Sequence, residues 1–181
     1  MTRIEVLHPD KASGKSKELF DAVQKKLGMI PNLMKTMGHA PALLEGYLNF
    51  NTTLESGVLD PQLRELIAVT VGEHNGCQYC VSAHSMMGEK LAKIAPEMII
   101  AARSKKATTH KFDGALTFVH ELLTHKGAVS DTALANVKEN GYSEEEVMEI
   151  IGHVALNTLT NYFNNTCKTA IDFPKVELLN I

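Results

Sequence analysis

Apolar residues in this chain recur every third or fourth position, in segments bounded by proline or glycine, and no stretch alternates with period two. A strand needs alternation between two faces, whereas a helix returns to the same face after three or four residues. The pattern therefore predicts helices throughout. Leu19, Phe20, Val23 and Leu27 form one stripe, and Gly28 follows it as a C-terminal stop. Pro31, Pro41, Pro61 and Pro96 each open a segment at the first turn, where a missing N–H is harmless. Asp60 caps the stripe of Leu63, Leu66, Ile67, Thr70 and Val71. Leu116, Val119, Leu122 and Leu123 mark a helix over 112–126 that Gly127 stops. Ser130 and Asp131 begin a short helix ended by Gly141, and Ser143 with Glu146 makes a capping box ahead of Val147, Ile150, Ile151, Val154 and Leu156. The expectation is an all-α bundle of about eight helices with short connections.

A chain of 181 residues buries enough surface for a core without staples. It has no long Pro/Gly/Ser-rich linker, so one domain over 1–181 is expected, with residues 1–12 as an extended N-terminal arm. With 44% hydrophobic and 22% charged residues, disorder and disulfide-framework miniproteins are excluded. A net charge of −3 provides no footprint for nucleic acid. The apolar run at 98–102 is too short to span a bilayer, and the first twenty residues lack a signal-peptide core. These features predict a cytoplasmic protein that binds neither membrane nor nucleic acid. In a reducing compartment, a C-x-x-C is more often redox-active or metal-binding than a structural bridge.

The chemistry lies in Glu73-His-Asn-Gly-Cys77-Gln-Tyr-Cys80-Val-Ser-Ala-His84. On a helix, Cys77 and Cys80 share a face, and His84 lies one turn beyond Cys80. The Asn75–Gly76 turn sets Cys77 at a helix N-terminus, whose dipole favours a thiolate there. His84 offers Cys80 a specific proton acceptor, which weighs more than a diffuse dipole. Two thiols and a base suffice for a peroxidatic cycle, in which one thiolate becomes a sulfenic acid and the other condenses with it. The same pair also suits a disulfide reductase or redox sensor. A zinc-stabilised binding module is the non-enzymatic alternative, with Cys77, Cys80 and His84 as ligands and His74, Glu73 or His153 as the fourth. If the chain reverses at Asn75–Gly76, Glu65 comes opposite about position 86, close enough to orient His84. Against that stands a solvated or ion-paired Glu65 beside Arg64.

Glu65, eleven residues, Cys77-x-x-Cys80, three residues and His84 resemble the alkyl hydroperoxidase AhpD-like proteins of the carboxymuconolactone decarboxylase superfamily. The flanking segments GMIPNLMKTMGHAPALLEGY and YSEEEVMEIIGHVALNTLTNYFNN are similar to its peroxidase-related branch. The resemblance implies an AhpD-like helical fold and homo-oligomers, trimeric or hexameric. It implies thiol peroxidase activity with Cys80 attacking, Cys77 resolving, and Glu65 and His84 relaying protons. No tightly bound cofactor or metal is then needed. A peroxide would be the substrate, and a thioredoxin-like or lipoyl-bearing dithiol protein the electron donor. The decarboxylase branch typically lacks the cysteine pair. Tyr79, a possible accessory residue, stands where some relatives carry histidine, so the relay role of that histidine does not transfer to it.

A second polar line, His153, Asn157 and Asn161, repeats every four residues along the last helix and is a candidate accessory to the site, with internal hydrogen bonding as the plainer expectation. His39, His110, His120 and His125 have no companions at ligand spacing. Cys167 is expected to act as a small hydrophobe.

Overall fold

Proline and capping side chains begin the helices. In the computed structural model, which describes residues 1–106 and 109–179 and leaves the His110 side chain outside the described atoms, Asp60 Oδ1 accepts from the Gln62 N–H at 2.7 Å. Ser143 Oγ accepts from the Glu146 N–H at 3.1 Å, and Glu146 returns a carboxylate oxygen to the Ser143 N–H at 2.8 Å. The capping box read from the sequence is therefore complete. Pro31 differs from expectation, because it is the N-cap and the helix begins one residue later.

Nine α-helices and no strand occur among the described residues, one helix more than expected. They are α1 (Gly14–Leu27), α2 (Asn32–Met37), α3 (Pro41–Glu55), α4 (Pro61–His74), α5 (Gln78–Lys90), α6 (Pro96–Arg103), α7 (His110–Thr124), α8 (Asp131–Glu139) and α9 (Glu144–Cys167). Residues 1–8 form no helix, and Pro9–Lys11 make a single 3₁₀ turn. No described helix is long and apolar enough to cross a membrane.

Helix α4 is the axis of the fold and packs against α5, α6, α7 and α9. Its pattern read as a stripe, yet every residue from Leu66 to Gly72 is buried, Ala68 and Val69 included. A helix surrounded on all sides needs no polar face. One apolar cluster joins α4 to α6–α9 through residues such as Ile67, Ile99, Val119, Val137 and Ile150. A second joins α1–α3 to the start of α5 and contains Cys77, Tyr79 and Cys80. The cysteine pair thus lies inside packed apolar surroundings.

The α4–α5 hairpin depends on two glycines. Gly76 has φ +62°, a left-handed conformation that suits glycine and lets the chain reverse. At Gly72, an added Cβ would lie 3.1 Å from Val81 Cγ2 and 3.4 Å from its backbone nitrogen, so the two helices approach closely there. The Cys77 N–H closes the turn by donating to the Gly72 carbonyl at 2.8 Å.

After α9 the chain runs back without helix over the N-terminal part of α5. The Val176 N–H donates to Ser82 Oγ at 3.0 Å, and Gln78 Nε2 donates to the Val176 carbonyl at 3.2 Å. The Leu179 N–H donates to Glu73 at 2.6 Å, and Glu73 also accepts from Arg103 Nε at 2.7 Å. Arg103 and Glu73 are 4% and 7% exposed, so this strap is anchored on a buried ion pair.

Candidate active site

Cys77 is the N-cap of α5, and its Sγ accepts from the Cys80 N–H at 3.3 Å. One helical turn brings the two sulfurs to 2.6 Å, with Cys77 donating to Cys80. Sulfurs one turn apart on the same helix face are within reach of a disulfide. Both side chains are buried, at 0% and 3% exposure.

Glu65 on α4 meets His84 on α5, with Nδ1 to Oε2 at 2.8 Å and both side chains 23% exposed. An added Cβ on Gly88 would lie 3.7 Å from Glu65 Cβ, so the Glu65 side chain starts beside Gly88 and reaches His84, on either side of the estimated position 86. The carboxylate fixes the proton on Nδ1 and leaves Nε2 to exchange one.

Electrostatics separate the two thiols. Burial pushes the Cys80 thiol up, but the Cys77 hydrogen bond, the His84 charge and the Asn164 and Asn161 amides together outweigh it and bring Cys80 down to about 7. Cys77 moves the other way, held up first by the proton it shares with Cys80 and then by burial. Burial lowers His84, but the Glu65 charge and hydrogen bond, with Cys80, overcome it and raise the imidazole above its ordinary value. An imidazolium beside a thiolate is the arrangement these shifts favour.

The remaining candidates divide. The Tyr79 hydroxyl accepts from the Leu33 N–H at 3.1 Å, and its ring meets Phe173 edge-on at 5.6 Å, so Tyr79 ties α5 to α2 and the strap. Asn157 Nδ2 donates to the His153 carbonyl of its own helix at 2.8 Å. His153 is 5% exposed with Nε2 unpartnered, and burial, then the Arg64 charge, lowers its basicity. Glu73, a proposed fourth zinc ligand, is committed to Arg103 and Leu179 instead. Among the described residues no group of three or more His, Cys, Asp or Glu could hold a metal ion. Cys167 is buried at the end of α9.

Sequence reasoning missed Asn164, whose Nδ2 donates to Cys80 Sγ at 3.3 Å from a position 3% exposed. The line His153–Asn157–Asn161 contained the signal, because one further turn along that face reaches 164.

Residues 41–123, which contain the whole hairpin, match the Carboxymuconolactone decarboxylase family. An uncharacterized peroxidase-related protein with an alkylhydroperoxidase AhpD core from Ralstonia eutropha JMP134 superposes with a TM-score of 0.84 at 23% identity, over 94% of this chain and 92% of the other. A peroxidase-related protein from Silicibacter sp. TM1040 gives 0.80 at 20% identity, over 93% and 91%. A cysteine-to-alanine variant of the debrominase Bmp8, in complex with 2,3,4-tribromopyrrole, gives 0.78 at 20% identity, over 95% and 92%. These likenesses establish a shared helical fold. No curated protein matches the sequence.

Proposed function

With the family match and the shared fold supporting assignment of this chain to the AhpD-like carboxymuconolactone decarboxylase superfamily, we propose that it is a thiol-dependent peroxidase. It would reduce organic hydroperoxides or hydrogen peroxide through a Cys77–Cys80 dithiol/disulfide cycle. The observation that carries this reading is the Cys80 sulfur, 2.6 Å from a second thiol and one turn from an imidazole paired with Glu65 at 2.8 Å.

In the first step the Cys80 thiolate attacks the terminal peroxide oxygen. The S–O bond forms as the O–O bond breaks, and the leaving alkoxide takes a proton from the His84 imidazolium. Cys80 is then a sulfenic acid and the peroxide has become an alcohol. Next, the Cys77 sulfur attacks the Cys80 sulfur, forming S–S and breaking S–O. The Cys77 proton passes to His84, which hands it to the departing hydroxide, so that water leaves. Two electrons have moved from the thiols to the peroxide. A dithiol donor, of thioredoxin-like or lipoyl-bearing type, restores the pair by exchange and is itself oxidised to a disulfide.

Reduced protein supplied with dithiothreitol is expected to consume cumene hydroperoxide or hydrogen peroxide catalytically, with a bell-shaped pH profile. The acid limb follows ionisation of Cys80 near 7, and the alkaline limb follows loss of the His84 proton above its ordinary 6.5. Glu65→Gln removes the charge that raises His84, so the alkaline limb moves to lower pH. The weaker imidazolium then stabilises the Cys80 thiolate less, so the acid limb moves to higher pH. The bell should narrow and its maximum fall by about tenfold or more. An unchanged profile removes Glu65 from the relay. The same assay with 2,3,4-tribromopyrrole, the Bmp8 ligand, tests the competing electrophile. Debromination without peroxide consumption replaces the peroxidase reading.

A further inference from the structure

We propose that Asn161 and Asn164 form a buried anion hole for the Cys80 sulfur and for the oxygen it receives from a peroxide. The oxygen half of this assignment rests on the peroxidase reading, and the sulfur half does not. Both asparagines project from one face of α9 and are 0% and 3% exposed. Asn164 Nδ2 donates to Cys80 Sγ at 3.3 Å, while its Oδ1 is buried without a partner. In this orientation an N–H faces the sulfur, and such a donor stabilises a thiolate more than a neutral thiol.

Asn161 supplies the second donor. Its Oδ1 accepts from Asn75 Nδ2 at 3.0 Å, which fixes the orientation of the carboxamide. Its Nδ2 is thereby turned inward and buried, near enough to act on the Cys80 thiol but completing no hydrogen bond. A fully buried amide donor that completes no hydrogen bond is rare in folded proteins and marks a place for an acceptor. The sulfenic oxygen of Cys80 would be such an acceptor, arriving only during the reaction. The frame is rigid, because Asn165 Nδ2 also donates to the Asn75 carbonyl at 2.8 Å. Two amides of α9 therefore grip the turn that carries the cysteines. Donors held in place before charge develops stabilise it without reorganising, which is how oxyanion holes act. The other titratable groups acting on Cys80 or sensing its charge are Cys77, His84 and the Tyr47 and Tyr79 phenols, with Glu65 behind His84. Both asparagine amides add to the lowering of the Cys80 thiol.

The test uses the full chain carrying Cys77→Ser and Cys167→Ser, which leaves Cys80 as its one thiol. Alkylation by iodoacetamide across pH reads the thiolate midpoint without any peroxide. Asn164→Leu should raise that midpoint by at least about one pH unit, equivalent to about tenfold less thiolate on the acid side. Asn164→Asp, of the same size, should raise it further by setting a carboxylate against the thiolate, and it serves if the leucine variant does not fold. A midpoint unchanged or lowered in the folded variants overturns the sulfur half. Asn161→Leu should slow oxidation of Cys80 by hydrogen peroxide by about tenfold at equal thiolate fraction. An unchanged rate overturns the oxygen half. If the parent itself does not react with peroxide, the oxygen half falls with the peroxidase reading, and the alkylation midpoints still decide the sulfur half.

Discussion

Cys80→Ser is expected to lower peroxide turnover by at least about a thousandfold, because a hydroxyl at this site cannot be ionised by the forces that ionise the thiol. Burial raises the Cys80 thiol, and the Cys77 proton, His84 and two amides bring it back to about 7. A serine oxygen starts several units higher, so the same set cannot generate an alkoxide. Cys77→Ser should behave differently. It leaves Cys80 able to react once, giving a sulfenic acid that no neighbour can resolve, so a single turnover is followed by arrest. Rapid-mix peroxide consumption in the two variants separates the roles. Loss of the first turnover in Cys77→Ser, with its retention in Cys80→Ser, would reverse the assignment of attacking and resolving thiols.

The largest expected effect on stability lies away from the sulfurs, at Arg103. Its guanidinium is 4% exposed, donates through Nε to Glu73 at 2.7 Å, and also donates to the Glu177 carbonyl of the strap. Arg103→Met removes the cation and leaves the Glu73 carboxylate buried with its charge uncompensated. Breaking a buried pair from one side costs about 3–5 kcal/mol, which for a chain of this size is a fall in Tm of roughly 6–20 °C. The Arg103→Met/Glu73→Leu double variant should recover much of that loss, because the stranded charge is gone. Thermal unfolding of the three proteins checks this. A single variant within about 1 kcal/mol of the parent would show that the pair does not hold the strap. Release of the strap should also speed alkylation of the cysteine pair, since Tyr79 packs on Phe173 and Gln78 and Ser82 are bonded to Val176.

Local signals located most of the fold. Asp60, Ser130 and Ser143 cap the helices that their sequence neighbours predicted, because a cap acts within three residues of itself. The full enclosure of α4 was not legible, since Ala68 and Val69 look the same whether a helix has one neighbour or four. In the site, Cys77, Cys80, His84 and Glu65 were readable from spacing along two helices and one turn. The residues alone left the ordering of the thiols open. What distinguishes the two thiols in the fold is their surroundings, Asn164 among them, which reaches Cys80 across 84 positions of sequence. Glu73 misled for the same reason. Beside the cysteines in sequence it resembled a ligand, whereas its partners are Arg103 and Leu179, contributed by distant segments.

The central claim is that Cys77 and Cys80 act together as a two-electron redox pair toward a peroxide. Intact-mass measurement of the fully reduced chain after one equivalent of hydrogen peroxide tests it most directly. The expected product has lost two hydrogens and gained no oxygen, with peptide mapping placing the bond between Cys77 and Cys80. Either single serine variant should fail to lose those hydrogens, and Cys77→Ser should instead gain one oxygen on Cys80. An unchanged mass, or oxygen added to methionines with both thiols still free, would contradict the claim.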